Sequence, residues 1–493
     1  MAARFDASIH SDSVTGDSFT LESAYGPVAA TVLFDGETAT LDPDASLLPA
    51  TEYTATLHDA ITDTDGEPID TFSWSFYTDG PGWDAAQAVE SDNTGHALAA
   101  KVGVDASGKA VAVWRQTDGS NYNVMANHFS PGAGWGTPAL LENNNAGNAT
   151  DIALSVNAAG HAVAVWRQTD GGANSIWANQ YTPGTGWDSA SAIEPTTGSS
   201  NDPQVGVDAQ GNAVVVWRRS AGLVSDIWAN RYTVGFGWGS AEMIESDGVE
   251  TALDPRVAVS SAGNATAVWR HGDGVQFNHF TQAAGWGSPA VVADGSIETY
   301  TPRVARDNNG NVMVVWLAGT ASHVDAWAQH LHATNGWSPA QLIESNTTES
   351  VQNPEVALAD DGTGMVVWSQ NDGTRHNVFA NRYTASGWGT PELIETNDAG
   401  YALDPRVVMG SDGHAAALWR EYDGARYNIA ANWFSPGAGW DSPLVIEAHD
   451  AGSALGGDIG ANADGDMFGV WHEYDGSRYN VSAARFNYRV VAP

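Results

Sequence analysis

Acidic, aromatic and cationic side chains recur close together in the second half of this sequence. Asp254, Tyr300, Tyr401 and Asp404 set carboxylates near aromatic rings, and Arg256, Arg303 and Arg406 follow within a few residues. Carboxylates beside aromatic faces suit a sugar, held directly or through calcium. The arginines, with Lys101, suit an anionic ligand or neutralise the acids around them. His330 and His332 are spaced i, i+2, so on a strand they share a face, and two such imidazoles could share a metal ion. Two exposed polar residues on an outer strand are the plainer account of that pair. Turns such as Asp105-Ala106-Ser107-Gly108 look like calcium loops but lack the length and the terminal bidentate glutamate. Ordinary hairpin turns are the plainer account of them.

Signatures of catalysis are thin. The sequence holds no Gly-x-Ser-x-Gly elbow, phosphate loop, His-Glu-x-x-His or dinucleotide fingerprint. With no cysteine among 493 residues there is no disulfide framework, iron–sulfur ligation, thiolate zinc site or cysteine nucleophile. A formal charge of −39 argues against nucleic acid and anionic membrane as partners. No stretch approaches the ~20 apolar residues of a membrane helix, so membrane insertion is not expected. Met1 to Ser13 lacks the basic and apolar regions of a signal peptide, which implies a removed signal or a fragment of a longer protein.

The elements that must position these side chains are set by a repeat. A Gly-Trp pair recurs at Trp83, Trp135, Trp187, Trp238, Trp286, Trp337, Trp388 and Trp440. A second tryptophan recurs at Trp114, Trp166, Trp217, Trp269, Trp316, Trp368, Trp419 and Trp471, at spacings of 52, 51, 52, 47, 52, 51 and 52 residues. Each unit reads as four short antiparallel strands, and helical periodicity is absent. Such units fit the blades of a propeller, here eight over residues 81–493. The last unit lacks its Gly-Trp strand, and an orphan strand at 83–90 precedes the first complete unit. The orphan strand is expected to join the last blade and close the ring, which removes exposed edges. The tryptophans are expected to fill the wedges between blades.

Strand four usually ends in glutamate and strand two is usually followed by arginine. Pairing each glutamate with the next blade's arginine gives Glu90–Arg115, Glu142–Arg167, Glu194–Arg218, Glu245–Arg270 and Glu395–Arg420. The unit that loses its glutamate, at Ala293, then meets the one whose arginine is Leu317. Inter-blade ion pairs are therefore expected. The fourth and fifth units depart most from the repeat: the hairpin after Trp269 is four residues shorter than that after Trp114. Departures of this kind often mark function.

Residues 1–80 carry no Gly-Trp unit and hold one basic residue against fifteen acidic ones. Alternating runs at Ser18–Leu21, Ala29–Phe34, Thr38–Leu41, Tyr53–Leu57 and Phe72–Tyr77 form a small β-sandwich pattern. The segments Asp12-Ser13-Val14-Thr15-Gly16-Asp17-Ser18-Phe19-Thr20-Leu21, Leu48-Pro49-Ala50-Thr51-Glu52-Tyr53-Thr54 and Asp65-Gly66-Glu67-Pro68, with Trp74-Ser75-Phe76, resemble the bacterial immunoglobulin-like domain of S-layer and other surface proteins. The resemblance implies an extracellular or cell-surface setting with the domain as spacer or stalk. That family usually begins with one more strand, so an incomplete edge is expected here. Residues 81–493 resemble the tryptophan-rich propellers of large secreted bacterial proteins.

The all-β reading, a sandwich followed by a propeller, leaves three functional classes. Non-enzymatic extracellular recognition of a glycan or surface partner through the loop face ranks first. A structural subunit of a surface layer or filament ranks second; the alternating tail 487–493 could complete the sandwich of another copy, although a linker is the plainer account. A polysaccharide-acting hydrolase or lyase ranks third. Calcium is the one cofactor the composition suggests.

Overall fold

The computed structural model describes residues 1–23, 26–43, 52–77, 82–91, 95–170, 172–194, 198–220, 222–245, 249–320, 323–447 and 451–487. It divides into two compact units, Met1–Asp84 with Phe486–Pro493, and Ala85–Arg485. Among the described residues its regular elements are all strands apart from one short 3-10 turn at Ser11–Ser13.

The first unit is a two-sheet sandwich. One sheet orders Ala2–Arg4, Thr38–Pro43 and Ala30–Phe34. The other orders Gly26–Pro27, Phe19–Ser23, Glu52–Leu57 and Phe72–Tyr77. Alternation buries Phe19, Leu21, Ala39, Leu41, Tyr53, Ala55 and Leu57 in one core. The five runs read from sequence are all present. The edge expected to be incomplete is instead occupied by Ala2–Arg4, whose three residues were too short a run for alternation to reveal. The tail 488–493 lies outside the described residues.

The second unit repeats one sheet eight times. The fourth copy shows the plan: Ala252–Val259, Ala265–His271 and Gly274–Thr281 are paired antiparallel in that order, and Gly285–Trp286 and Ala290–Ala293 both pair with the third strand. First strands touch the first strands of both neighbours all the way round, the eighth (Ala454–Ala461) against the first (Ala97–Val104) included. That is a closed propeller with first strands innermost. The orphan strand behaves as the repeat predicts: Gln87 and Ala88 stand opposite Ala483 and Ser482, and the Val89 amide donates to the Val481 carbonyl at 2.9 Å.

Burial follows the repeat. Seven of the eight second-strand tryptophans are fully buried, and the eighth, Trp316, is 3% exposed. Trp114, Trp166, Trp217, Trp269, Trp316, Trp368 and Trp419 each sit in an apolar cluster shared with the preceding blade, as Trp166 does with Val111, Val113 and Leu141.

The fourth strand read from sequence as continuous is broken in two, Gly134–Trp135 and Ala139–Leu140 in the first blade. The interruption has a cause on the third strand. Asn127 donates through Nδ2 to the Gly136 carbonyl (3.0 Å) and to the Val89 carbonyl of the adjoining blade (2.7 Å). Asn179, Asn230, Asn278, Asn381 and Asn432 likewise reach a carbonyl in the preceding blade, at 2.7–2.9 Å. A side-chain amide therefore takes over where strand-to-strand pairing stops. Replacing Asn432 by alanine removes its bonds to Ile394 (2.9 Å) and Asp441 (2.8 Å) and strands the buried Ile394 carbonyl. The expected loss is about 1–3 kcal/mol, measured as a lower urea midpoint at unchanged slope; an unchanged midpoint would show that this clamp is dispensable.

Candidate functional site: the axial channel

The site starts from a backbone irregularity. In every first strand the pairing with the second strand shifts register, as between Leu253 and Arg256. The shift is made by one left-handed residue per blade: Ala99, Asp151, Asp202, Asp254, Thr301, Asn353, Asp404 and Gly456, with φ between 43° and 64°. L-residues resist this conformation by about 1–2 kcal/mol, and Asp, Asn and Gly tolerate it best, which accounts for six of the eight. Three of the four aspartates are also held by second-strand arginines in their own blade: Arg167–Asp151 at 3.0 Å, Arg218–Asp202 at 2.8 Å and Arg420–Asp404 at 2.6 Å.

Two residues after each left-handed residue, the innermost strand presents Lys101, Ala153, Gln204, Arg256, Arg303, Glu355, Arg406 and Asp458. Four cations thus face two carboxylates. Glu355 binds Arg303 (2.8 Å) and Arg406 (3.3 Å), and Asp458 binds Lys101 (3.4 Å). Burial pushes the Glu355 carboxyl up, but the two arginines, with Arg256 behind them, outweigh it and hold it below the ordinary glutamate value. Arg256 has no such partner. Its Nη1 donates to the Pro255 carbonyl at 2.8 Å, and it makes no ion pair among the described residues. Burial, reinforced by Arg303, lowers its guanidinium to about 10. The arrangement is an inward-facing cation whose charge an incoming anion would stabilise.

The seven residues picked from sequence for a ligand divide into three groups. Arg256, Arg303 and Arg406 meet at the channel, on strands rather than on the loop face expected to carry the site. Asp254 and Asp404 form the bulge behind them, and Asn353 donates to Asp404 at 2.7 Å. Tyr300 and Tyr401 lie where their strands begin, Tyr300 under Arg270 at 5.6 Å and Tyr401 exposed near His376 at 6.0 Å. Carboxylates and tyrosines are thus not gathered around one ligand volume.

Other expectations are corrected. The inter-blade ion pairs do not form: Glu142–Arg167, Glu194–Arg218 and Glu395–Arg420 go to separate partners. Adjacent strand residues face opposite sides, so the residue two after the tryptophan, and not the arginine one after it, reaches the seam. Trp166 Nε1 donates to Gln168 (3.1 Å), and Gln168 Nε2 donates to Glu142 (3.0 Å). Trp368, Gln370 and Glu344 repeat this relay. Glu194 accepts from the Ile176 amide (2.7 Å) and from Ser200; Glu395 accepts from the Asn397 amide (2.7 Å). Arg115 lies over Tyr122 at 4.9 Å, Arg270 Nε donates to the Gly272 carbonyl at 3.2 Å, and Glu90 and Glu245 are buried. Leu317 turns to the following seam, with Ile343 and Val351, while Ala318 faces the seam of Ala293.

His330 and His332 do share a side, with ring centroids 4.1 Å apart. His330 is buried and pushed down to about 4 by burial and by His332, whose Nε2 is 3.2 Å from Tyr383 Oη. Among the described residues no group of three or more His, Cys, Asp or Glu is placed to hold a metal ion. The calcium-like turns close on themselves: Asp105 Oδ1 accepts from the Ser107 and Lys109 amides (2.8 and 3.0 Å). Asp118, Asp372 and Asp475 cap their hairpins in the same way, and those backbone and side-chain donors hold their carboxyls well below the ordinary range.

Residues 1–78 match the family described as bacterial Ig-like domain. A search of curated proteins finds no match. Among solved structures the chain is similar to a polysaccharide lyase, a PL25 ulvan lyase bound to -[GlcA(1-4)Rha3S]-, at 11% identity and TM-score 0.47, covering 74% of this chain and 96% of that one. It is similar to the intramolecular trans-sialidase from Ruminococcus gnavus at 12% identity and TM-score 0.34, covering 80% and 96%. It is also similar to the Penicillium chrysogenum α-L-arabinanase at 11% identity and TM-score 0.39, covering 84% and 100%. The N-terminal unit is thus a bacterial Ig-like domain, and the propeller assignment stands on the sheet order and closure described above.

Two outcomes follow from this geometry. Asp404→Ala places a Cβ residue without a partner for Arg420 in the left-handed position and is expected to lose about 1–3 kcal/mol; Asp404→Gly recovers the backbone share and should lose less. Equal losses in chemical denaturation would contradict the role given to φ. The seam carboxyls supply the second. Burial raises Glu142 and Glu395 from 4.5 to about 7 and Glu344 to about 8. A raised carboxyl stabilises fully below its unfolded value and loses that contribution as pH rises through the folded value. The urea midpoint should therefore fall from about pH 4.5 to about pH 8, and the fall should shrink in the triple variant Glu142→Gln, Glu344→Gln, Glu395→Gln. An undiminished fall would place the titration elsewhere.

Proposed function

We propose that this protein is an extracellular recognition module that binds an anionic glycan, one carrying carboxylate or sulfate groups, at the Arg256 end of the propeller channel. The observation that carries the reading is Arg256 itself, an inward-facing guanidinium without an ion pair in a chain of net charge −39. Four cations against two carboxylates give the channel a local positive sign inside an acidic shell, which selects for an anion that can enter it. Arginine presents a fork to planar carboxylate or sulfate oxygens that lysine does not. The bacterial Ig-like domain supports an extracellular setting, with that domain as spacer. Among the described residues no helix is long and apolar enough to cross a membrane. Some similar solved structures are named for polysaccharide or sialic acid chemistry; the reading rests on the channel and not on them.

Arg256→Ala is the informative variant, because it orphans no carboxylate, whereas Arg303→Ala would leave Glu355 half-paired. Calorimetric titration with an oligogalacturonate should show saturable, salt-sensitive binding that weakens about tenfold or more in Arg256→Ala. A neutral cello-oligosaccharide should not bind. Equal binding of both sugars, or an unchanged affinity in the variant, would contradict the proposal. Release of shortened products would move the protein into the enzyme class.

A further inference from the structure

The seam between the fourth and fifth blades lacks the polar side chains that close several other seams. At the second and sixth blades the seam is closed by a polar relay, Trp166–Gln168–Glu142 and Trp368–Gln370–Glu344. Trp114, Trp419 and Trp471 likewise donate to the residue two positions on: Gln116 (2.9 Å), Glu421 (3.1 Å) and Glu473 (2.9 Å). At the fourth–fifth seam both relay positions are alanine, Ala318 for the glutamine and Ala293 for the glutamate. A cavity of about 320 Å³ opens there, lined by Ala293, Ile297, Thr299, Trp316, Ala318 and Trp327.

Two polar groups are left behind by these deletions. Trp316 is the one second-strand tryptophan that is not fully buried, and its indole N–H has no acceptor at position 318. Thr299 is 1% exposed, stands opposite Ala318, and its hydroxyl is buried without a hydrogen-bond partner. The role of that hydroxyl is visible in the third blade, where Ser200, opposite Arg219, donates to Glu194. In the fifth blade the glutamate that would receive it is Ala293. A buried hydroxyl without a partner carries a desolvation penalty that a ligand can remove, and the indole N–H of Trp316 in the cavity wall is a second donor for it.

We infer that this cavity is a binding site for a small aromatic primary carboxamide. The carboxamide takes the place of the missing glutamine side chain. Its carbonyl accepts from Trp316 Nε1, as Gln168 accepts from Trp166, and its NH₂ donates to Thr299 Oγ1, as Gln168 donates to Glu142. Its ring fills the remaining apolar space between Trp316 and Trp327 and meets the exposed rim of Val291 and Ile297. A carboxylate fits less well, because no lining residue is cationic and a buried charge needs a partner. The site stands apart from the channel and does not depend on the glycan reading.

Benzamide is the probe, followed by saturation-transfer NMR on the whole chain. Saturable binding with a Kd on the order of millimolar is expected for so small a ligand, with toluene and benzoate each at least several-fold weaker. Ala318→Gln rebuilds the side chain that serves Trp368 and should abolish benzamide binding. Thr299→Val keeps the volume and strand preference while removing the hydroxyl, and should weaken binding several-fold; it decides the matter if Ala318→Gln fails to fold. Absence of saturable benzamide binding, toluene binding equally well, or unchanged affinity in Thr299→Val would overturn the assignment.

Discussion

One left-handed residue in each innermost strand governs this propeller. It lets a strand that begins in register with its neighbour end one residue displaced, so a different set of side chains turns into the channel. Where that residue is aspartate, an arginine from the next strand holds it at 2.6–3.0 Å in the second, third and seventh blades. The arginine works on the backbone at a distance from the channel, and the channel residue two positions later inherits the result. Charge is thus divided by role: second-strand arginines neutralise the bulge, and first-strand arginines face inward.

The seams between blades hold the ring to the same plan by a second device. Tryptophans fill the wedge, and asparagine amides on the third strand close the polar remainder against carbonyls of the preceding blade. Buried glutamates complete the seam in a form that favours the protonated acid. The fourth–fifth seam lacks the glutamate and its glutamine, and there the wedge is partly empty. Repeat architecture makes such a gap legible, since other seams show what these positions do.

Much of this was readable from the residues. The tryptophan spacing disclosed the blades, and the phase shift at Trp83 disclosed how the ring closes, because both are counts along a period that burial enforces. The concerted loss of Ala293 and a partner near position 317 was also visible. Its partner was misplaced by one residue, since alternation tells that neighbours face opposite ways but not which face meets the seam. The bulge was hidden because a left-handed backbone leaves only a weak compositional trace, an Asp or Asn that also suits any turn. The asparagine clamp had a signal in the recurring Ala-Asn of Ala126-Asn127, Ala178-Asn179 and Ala229-Asn230, which strand alternation alone gave no reason to read. Acidic loop residues that looked like ligand groups are engaged by their own turns, for the reason that makes aspartate a good turn former: its carboxylate accepts amides two to four residues on.

The charge arrangement of the channel requires that it select an anion. A crystal of the whole chain soaked in selenate, measured at the selenium edge, reads this directly. An anomalous peak within hydrogen-bonding distance of Arg256, lost in Arg256→Ala crystals, is the result the charge arrangement requires. A channel holding only water while selenate occupies other surface arginines would contradict it.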